Sequence, residues 1–531
     1  MPDTIIPVTE PEPPVPAAPS ADAQLQESLW HELLRKISSF QVLLGAILVS
    51  GVFVAERSMR LDPDTWWHIR VGSDILATRQ FPVVDHYSFT ARGAAWIAYE
   101  WLGDVVMSLA SRSGLRGTEL LLVASSSLIT LLIYYYAWLK CKECKAAFLA
   151  TAAIVPLAML SMTVRPQLFG YVFLLVTLIC LERFRQGHRQ ALWFLPPVFL
   201  LWVNTHGSFV LGFMAMGLYW ACGLVDFSWG GLHADRWALR DRIRLELAAL
   251  ICLLMLPITP YGTRLATVPV EYAFSLPGNM AHIQEWQPAD FSQWQVKLFL
   301  GLVLLLVFAL LTLRLRLNLV ETSFFLFATY ETCVHVRFAI VFAIIFAPLL
   351  AALIARWVDP YNRNIDKYAL NAVLILGMAV AWVRYFPSRA DLEQKVAANY
   401  PVEAVRYLRQ HPLSGPMLNS YGFGGYLIWA GMPRQGVFID GRGDLYERTG
   451  VFADFRRIVN LAPETRQLLR GYGIQSCLLQ RGTPLATFLG ADPHWNRVYQ
   501  DDVAGLYVRD VGSGKAGRSP NTVQTSSGGL N

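Results

Sequence analysis

SFQVLLGAILVSGVFVA, Ser39 to Ala55, is an unbroken apolar run, and LDPDTWWHIRVGSDILATRQFPVVDHYSFT, Leu61 to Thr90, follows it almost at once. The first stretch has the composition and nearly the length of a membrane-spanning helix. The second is its chemical opposite. It sets Asp62, Asp64, Asp74 and Asp85 around Trp66, Trp67 and His68. Working outward, the whole chain follows the first stretch more than the second. Of its 531 residues 54% are hydrophobic and only 16% are charged. A soluble chain of this length needs more surface charge, so the composition is that of an integral membrane protein.

About eleven stretches are apolar and long enough to be read as spans. They lie at 39–56, 117–139, 146–162, 166–183, 191–204, 208–226, 245–259, 297–313, 318–334, 338–356 and 368–386. Alternate connections are rich in Lys and Arg: Lys140, Lys142 and Lys145, then Arg183, Arg185 and Arg189, then Arg236 to Arg244, then Arg314 and Arg316, then Arg356, Arg363 and Lys367. The intervening connections hold little more than Arg165, Arg264, Lys297 and Arg337. The positive-inside rule therefore puts the N-terminus in the cytoplasm and the first loop, 57–116, outside. Eleven spans put the tail outside as well. A loop of that length without structure is uncommon, so it is expected to fold.

The ends of the chain read differently. Residues 1–38 begin with a Pro/Ala/Glu-rich segment too long and acidic for the n-region of a signal peptide, and are expected to be a disordered cytoplasmic tail. Residues 511–531 are likewise expected to be disordered. Residues 387–510 alternate short helical and strand patterns, PVEAVRYLRQ, GPMLN, GVFID, APETRQLLRGYG, IQSCLLQ, WNRVYQD and GLYVRD, which predicts a small α/β domain. No phosphate-binding glycine loop is present. Cys141 and Cys144 form one CxxC with no second pair or paired histidine nearby, short of a zinc set. No basic-aromatic cluster points to nucleic acid.

Asp62-Pro63-Asp64 reads as a helix start, with Asp62 as N-cap, Pro63 in the first turn and Asp64 favourable to the helix dipole. The helix should run to about Arg79 and end before Phe81-Pro82. Capping and interfacial anchoring by Trp66 and Trp67 account for part of the pattern. They do not account for His68, four residues after Asp64 and on the same helical face. Other membrane-edge residues fall on that side by parity: Arg165 in TVRPQLFGY, His206 in VNTHGSF, Glu285 and Trp286 in HIQEWQPADF, His335 and Arg337 in ETCVHVRFA. Ionisable residues at a membrane edge are costly and usually have a partner or a task. Carboxylates opposite Arg and His suit an anionic headgroup and a hydroxyl to be activated.

The segments DPDTWWHIRVGSDIL, FPVVDHYSFT, YEWLGD, RPQLF, NTHGSF, IQEWQPADF and VRFAIVFA, with NSYGFGGYLIW and VFIDGRGDLY in the tail, resemble a group of bacterial membrane proteins. The arrangement is similar to the C-type (GT-C) membrane glycosyltransferases. That resemblance implies a polytopic α-helical fold in the bacterial inner membrane, with a polyprenyl-phosphate sugar as donor and membrane lipids around it. It implies a catalytic carboxylate in the first loop, best matched by Asp64 and next by Asp62, although Pro63 separates what many relatives carry as a contiguous acidic pair. Asp64 is then the general base for an inverting transfer. Arg165, Arg337 and His206 are expected at the donor phosphate. Trp66, Trp67, His68, Glu100, Trp101 and Glu285 are expected around sugar and acceptor. No metal ligand set is evident, though a divalent ion such as Mg or Mn bridging Asp62 and the phosphate fits the chemistry. The alternative is a non-catalytic envelope assembly factor or a polyisoprenoid or polysaccharide transporter on the same scaffold. Charges gathered at one face rather than at mid-membrane favour the enzyme.

Overall fold

The computed structural model describes residues 30–57, 62–275, 284–313 and 315–510. Residues 1–29 and 511–531, expected to be disordered, lie outside the described residues. The rest of the N-terminal segment departs from expectation: Trp30–Ile37 is helical and meets Phe40–Glu56 at a 44° bend.

Each of the eleven apolar stretches forms a helix, but not each is long enough to cross a bilayer alone. Among the described residues five helices qualify by length and composition, or seven if each bent pair is one span. Leu115–Cys141, with 27 residues, extends about 40 Å. Leu195–Thr205, with 11, extends about 16 Å, against a hydrocarbon core of about 30 Å. The cause is local: residues 189–194 are 3-10 helix, and His206 leaves the helix in an extended conformation. Hydropathy senses the apolar run and not the break in it.

Ala339–Ile354 is the central helix, packed against Cys144–Ala158 and Leu115–Cys141. Ala343, Ala347 and Ala351 recur every four residues, and these and Ala146, Ala147 and Ala150 on its neighbour are fully buried. Small side chains at helical spacing let backbones approach where the hydrophobic effect gives no drive. At one end of the bundle Lys140 and Arg185 share Glu321, and Arg185 also pairs with Glu182 at 2.9 Å. The residues singled out at the other set of connections, Asp64, Arg165, Glu285 and Arg337 among them, gather at a separate site described below. Within the Arg-rich connections, Phe227–Trp229 pairs antiparallel with Leu232–Ala234, which runs parallel to Leu317–Asn318.

The C-terminal residues form a four-stranded sheet in the order Met417–Asn419, Ser476–Gln480, Ala504–Arg509, Trp495–Gln500, parallel in its first pair and antiparallel in the others. Val402–Gln410 and Thr465–Gly471 are helices, as their patterns predict. GVFID is not a strand of this sheet. Val437 makes one parallel bridge to Ser88 of the first loop, and the Asn419 side chain takes up Phe438 N–H and Ile439 C=O. The first loop and the tail share a core: Trp66, Val71, Ile75, Tyr87 and Trp96 are buried with Tyr426, Leu427, Phe438 and Tyr446. They fold as one body over the membrane helices.

Candidate functional site

The first-loop helix is Asp64–Thr78, ended by Arg79 in the left-handed region at φ 57°. Asp62 caps it: its Oδ1 accepts Asp64 N–H at 2.9 Å. Thr65 Oγ1 donates to the Val164 carbonyl at 2.8 Å and is fully buried. That bond pins the helix start beside the turn before Gln167–Arg185, so Arg165 meets the acids. Its guanidinium lies 2.9 Å from Asp64 Oδ2 and 3.4 Å from Asp62 Oδ2, and it also pairs with Glu285. Arg165 thus contacts three carboxylates on the wall of one cavity. Its positive charge faces all three acids.

Trp67 Nε1 donates to Asp64 Oδ1 at 3.1 Å. Gly441 of the tail closes over the same carboxylate. A Cβ there would overlap Asp64 Oδ1 and lie 3.0 Å from Trp67 Nε1, so only glycine permits the approach. Burial pushes the Asp64 carboxyl up to about 7, against the pull of Arg165. For Glu285 the balance is reversed. Burial opposes ionisation, but Arg165 and Arg337 together hold it down to about 2.

A second cluster lies beside the first. His68 Nδ1 is 2.6 Å from Asp104 Oδ1, with both side chains buried, and His68 Nε2 is 3.5 Å from Glu100 Oε2. Glu100 Oε1 is 3.2 Å from His206 Nε2. Ser208 N–H donates to His206 Nδ1 at 3.0 Å, so His206 carries its proton on Nε2, toward Glu100. Close crossing of the helices Asp64–Thr78 and Trp101–Ser111 builds this cluster; a Cβ on Gly72 would overlap the Asp104 carbonyl. Burial pushes Glu100 up to about 8 and His206 down to about 3.

Arg337 differs from Arg165. Its guanidinium lies 4.2 Å over the Trp286 ring. His335 Nδ1 donates to the Trp286 carbonyl at 2.8 Å and Val336 N–H to Gln287 C=O at 3.0 Å, which fixes both loops. Among the described residues Arg337 has no carboxylate within 4.0 Å, although it is charged and only partly buried.

These groups line one cavity of about 1020 Å³. Asp62, Asp64, Trp67, His68, Glu100, Arg165, His206, Glu285 and Arg337, all singled out in the sequence, contribute to its wall. Two do not. Trp66 is 1% exposed and packs on Tyr400, Tyr426 and Trp429, which makes it a core residue joining loop and tail. Trp101 turns its Nε1 to Asn204 Oδ1 at 2.9 Å and its ring to Phe81. Neither is placed to stack on a sugar. The tail adds wall residues that the sequence did not single out: Tyr421, Phe452, Arg456 and Asn460. Asp104 also escaped notice, although it stands four residues after Glu100, the spacing that puts two acids on one helical face.

In this structure the carboxylates Asp62, Asp64 and Glu285 surround the Arg165 guanidinium. Among the described residues no group of three or more His, Cys, Asp or Glu is disposed to hold a metal ion.

No family model matches the chain, and no curated protein sequence matches it. Among solved structures it is similar to the archaeal oligosaccharyltransferase AglB from Archaeoglobus fulgidus, in complex with an inhibitory peptide and a dolichol-phosphate, at 10% identity and TM-score 0.47, over 86% of this chain and 70% of that one. It is also similar to ArnT from Cupriavidus metallidurans bound to undecaprenyl phosphate, at 14% identity and TM-score 0.45, over 90% of this chain and 98% of that one. The apo state of that ArnT matches at 15% identity and TM-score 0.45, over 91% and 98%.

Proposed function

We propose that this multi-pass membrane protein is a C-type glycosyltransferase of the bacterial inner membrane, with the N-terminus cytoplasmic and the cavity and tail domain extracytoplasmic. It moves a sugar from a polyprenyl-phosphate donor to an acceptor hydroxyl, with inversion. The observation that carries this reading is the make-up of the cavity. One wall holds a buried carboxylate, Asp64, raised by burial to about 7, and the same cavity holds Arg337, which has no carboxylate of the described residues within 4.0 Å. A base poised near the working pH and a cation outside any direct ion pair suit activation of a hydroxyl and departure of a phosphate.

In this mechanism Asp64 takes the proton of the acceptor hydroxyl. The oxygen attacks the anomeric carbon as the bond to the phosphate oxygen breaks, and the electron pair leaves on the phosphate. Arg337 binds the phosphate and stabilises the charge it gains. Arg165, held by Asp62 and Glu285, keeps the Asp64 carboxylate aimed and takes no direct part. Trp67, Tyr421 and Phe452 line the room left for sugar and acceptor. The test is transfer of labelled sugar from a polyprenyl-phosphate donor by the detergent-purified protein. Product above the level of an Asp64→Asn control supports the reading. Donor that is bound but not consumed, alike in both proteins, overturns it and leaves the non-catalytic alternative.

A further inference from the structure

Two kinds of carboxyl share the cavity wall. Asp62, Asp64 and Glu285 all meet Arg165. Glu100 does not: among the described residues its ion-pair contacts within 4.0 Å are to imidazole nitrogens, His206 Nε2 at 3.2 Å and His68 Nε2 at 3.5 Å. His206 is fixed as an Nε2–H donor by Ser208, so it occupies Oε1. At 3.5 Å the contact of Oε2 with His68 is too long for a strong hydrogen bond, so Oε2 remains able to carry a proton toward the cavity. Behind His68, Asp104 is fully buried, and its Oδ2 has no hydrogen-bond partner. Two buried carboxyls joined through an imidazole, with neither in contact with a guanidinium or ammonium group, favour a neutral acid over a pair of anions.

Resting on the glycosyl-transfer reading above, we infer that Glu100 is the general acid of the reaction, working as a protonated carboxyl beside the base Asp64, with His68 and Asp104 as its positioning residues. The proton count closes. The acceptor O–H bond breaks and its proton goes to Asp64. The bond from the anomeric carbon to phosphate oxygen breaks, and that oxygen takes the proton of Glu100 to leave as a monoprotonated polyprenyl phosphate. Asp64 then returns a proton to Glu100 through the cavity, and both groups are reset.

The charged and titratable groups facing Glu100 are Asp64 and His68 from the first-loop helix, its neighbours Tyr99 and Asp104, Arg165, His206, Tyr272, Arg337, and Asp444 from the tail. Burial is the largest influence on its proton and holds it in place; Arg165 and Arg337 oppose that, while Asp64 and Asp444 reinforce it. The carboxyl is thereby kept protonated up to about 8, one step above Asp64. Neighbouring titratable groups poised in this order are the pattern of an acid and a base.

The experiment is the pH–rate profile of the full-length protein in detergent, with labelled polyprenyl-phosphate sugar as donor. The wild type should give a bell, falling below about 7 as Asp64 gains a proton and above about 8 as Glu100 loses one. Glu100→Gln should lose kcat by about 10²-fold and lose the alkaline limb, with KM for the donor little changed. Glu100→Asp should keep that limb at reduced kcat, and it serves if Glu100→Gln does not fold. His68→Gln should displace the limb without altering KM. An infrared spectrum needs no sugar: a protonated-carboxyl stretch present at neutral pH should vanish above about 8 and be missing in Glu100→Gln. Transfer by Glu100→Gln at the wild-type rate, or with the alkaline limb intact, overturns the acid while sparing the transfer reading. Absence of the infrared band overturns it as well. No transfer by the wild type overturns the transfer reading itself, and with it the role of Glu100.

Discussion

At the scale of single residues, Asp62 and Asp64 divide the work. Asp62 caps the helix through Asp64 N–H and faces Arg165 at the longer distance, whereas Asp64 is gripped by Arg165, Trp67 and Gly441. Asn is as good a cap as Asp, so Asp62→Asn should fold and retain part of its activity. Asp64→Asn gives up a dipole interaction of about 0.3–1 kcal/mol, and Arg165 keeps two other carboxylates, so the protein should still fold. It should lose about 10²–10⁴-fold in rate, because an amide accepts no proton. Sugar transfer by purified variants, normalised to folded protein, checks both. The sign of the pH dependence follows from the same carboxyl. As the proposed base, Asp64 is active only when ionised, and burial raises its pKa to about 7, so activity should fall as pH drops through 7. Arg337 is a different case, because no carboxylate of the described residues lies within 4.0 Å of it and it is the proposed phosphate ligand. Arg337→Ala should raise KM for the donor and lower kcat, about 10²-fold in kcat/KM, with melting temperature unchanged. An unaltered donor KM and kcat would place the phosphate elsewhere.

At the scale of elements, the turn Asp440–Asp444 explains why loop and tail act together. Arg442 is buried between Asp85 at 2.6 Å and Asp440 at 2.7 Å, with its guanidinium 4.7 Å from the Trp96 ring centre. Its neighbour Gly441 reaches the Asp64 carboxylate. One residue therefore anchors the turn to the first loop while the next touches the site. Arg442→Leu leaves two buried carboxylates unpaired and should cost about 3–5 kcal/mol, read as a lower melting temperature or loss of folded protein. Gly441→Ala should act differently. Its Cβ displaces Asp64 from Arg165, so activity should fall at least as far as in Asp64→Asn while most of the folded protein remains. Normal activity in Gly441→Ala would mean that the carboxylate need not be held where the structure places it.

At the scale of the whole molecule, the polar groups separate into a structural network around Glu321 and the cavity around Arg165. The proposed orientation puts the cavity outside and the Arg236–Arg244 connection in the cytoplasm. In a protein freed of native thiols, a membrane-impermeant maleimide applied to intact cells should label Gly93→Cys and Arg481→Cys and spare Arg240→Cys. Labelling of Arg240→Cys alone would invert the topology and move the cavity to the cytoplasmic face.

The sequence by itself determined what depends on local order: the apolar runs, the acidic helix start at Asp62, the charge alternation of the connections, and the shortlist of site residues, most of which meet in one cavity. Those features rest on spacing along the chain, which hydropathy, capping chemistry and helical periodicity read directly. Only the tertiary structure decided the rest. It alone distinguished Trp67, on the cavity wall, from its neighbour Trp66, buried in the core, because successive residues on a helix point about 100° apart. It alone gave Arg165 to three carboxylates and kept those of the described residues beyond 4.0 Å of Arg337, since the Arg165 partners come from segments more than a hundred residues distant. It moved GVFID out of the sheet because its hydrogen bonds go to Asn419 and to the first loop. A residue's role at this site is set by which charge lies within 4 Å of it, and chain order does not encode that distance.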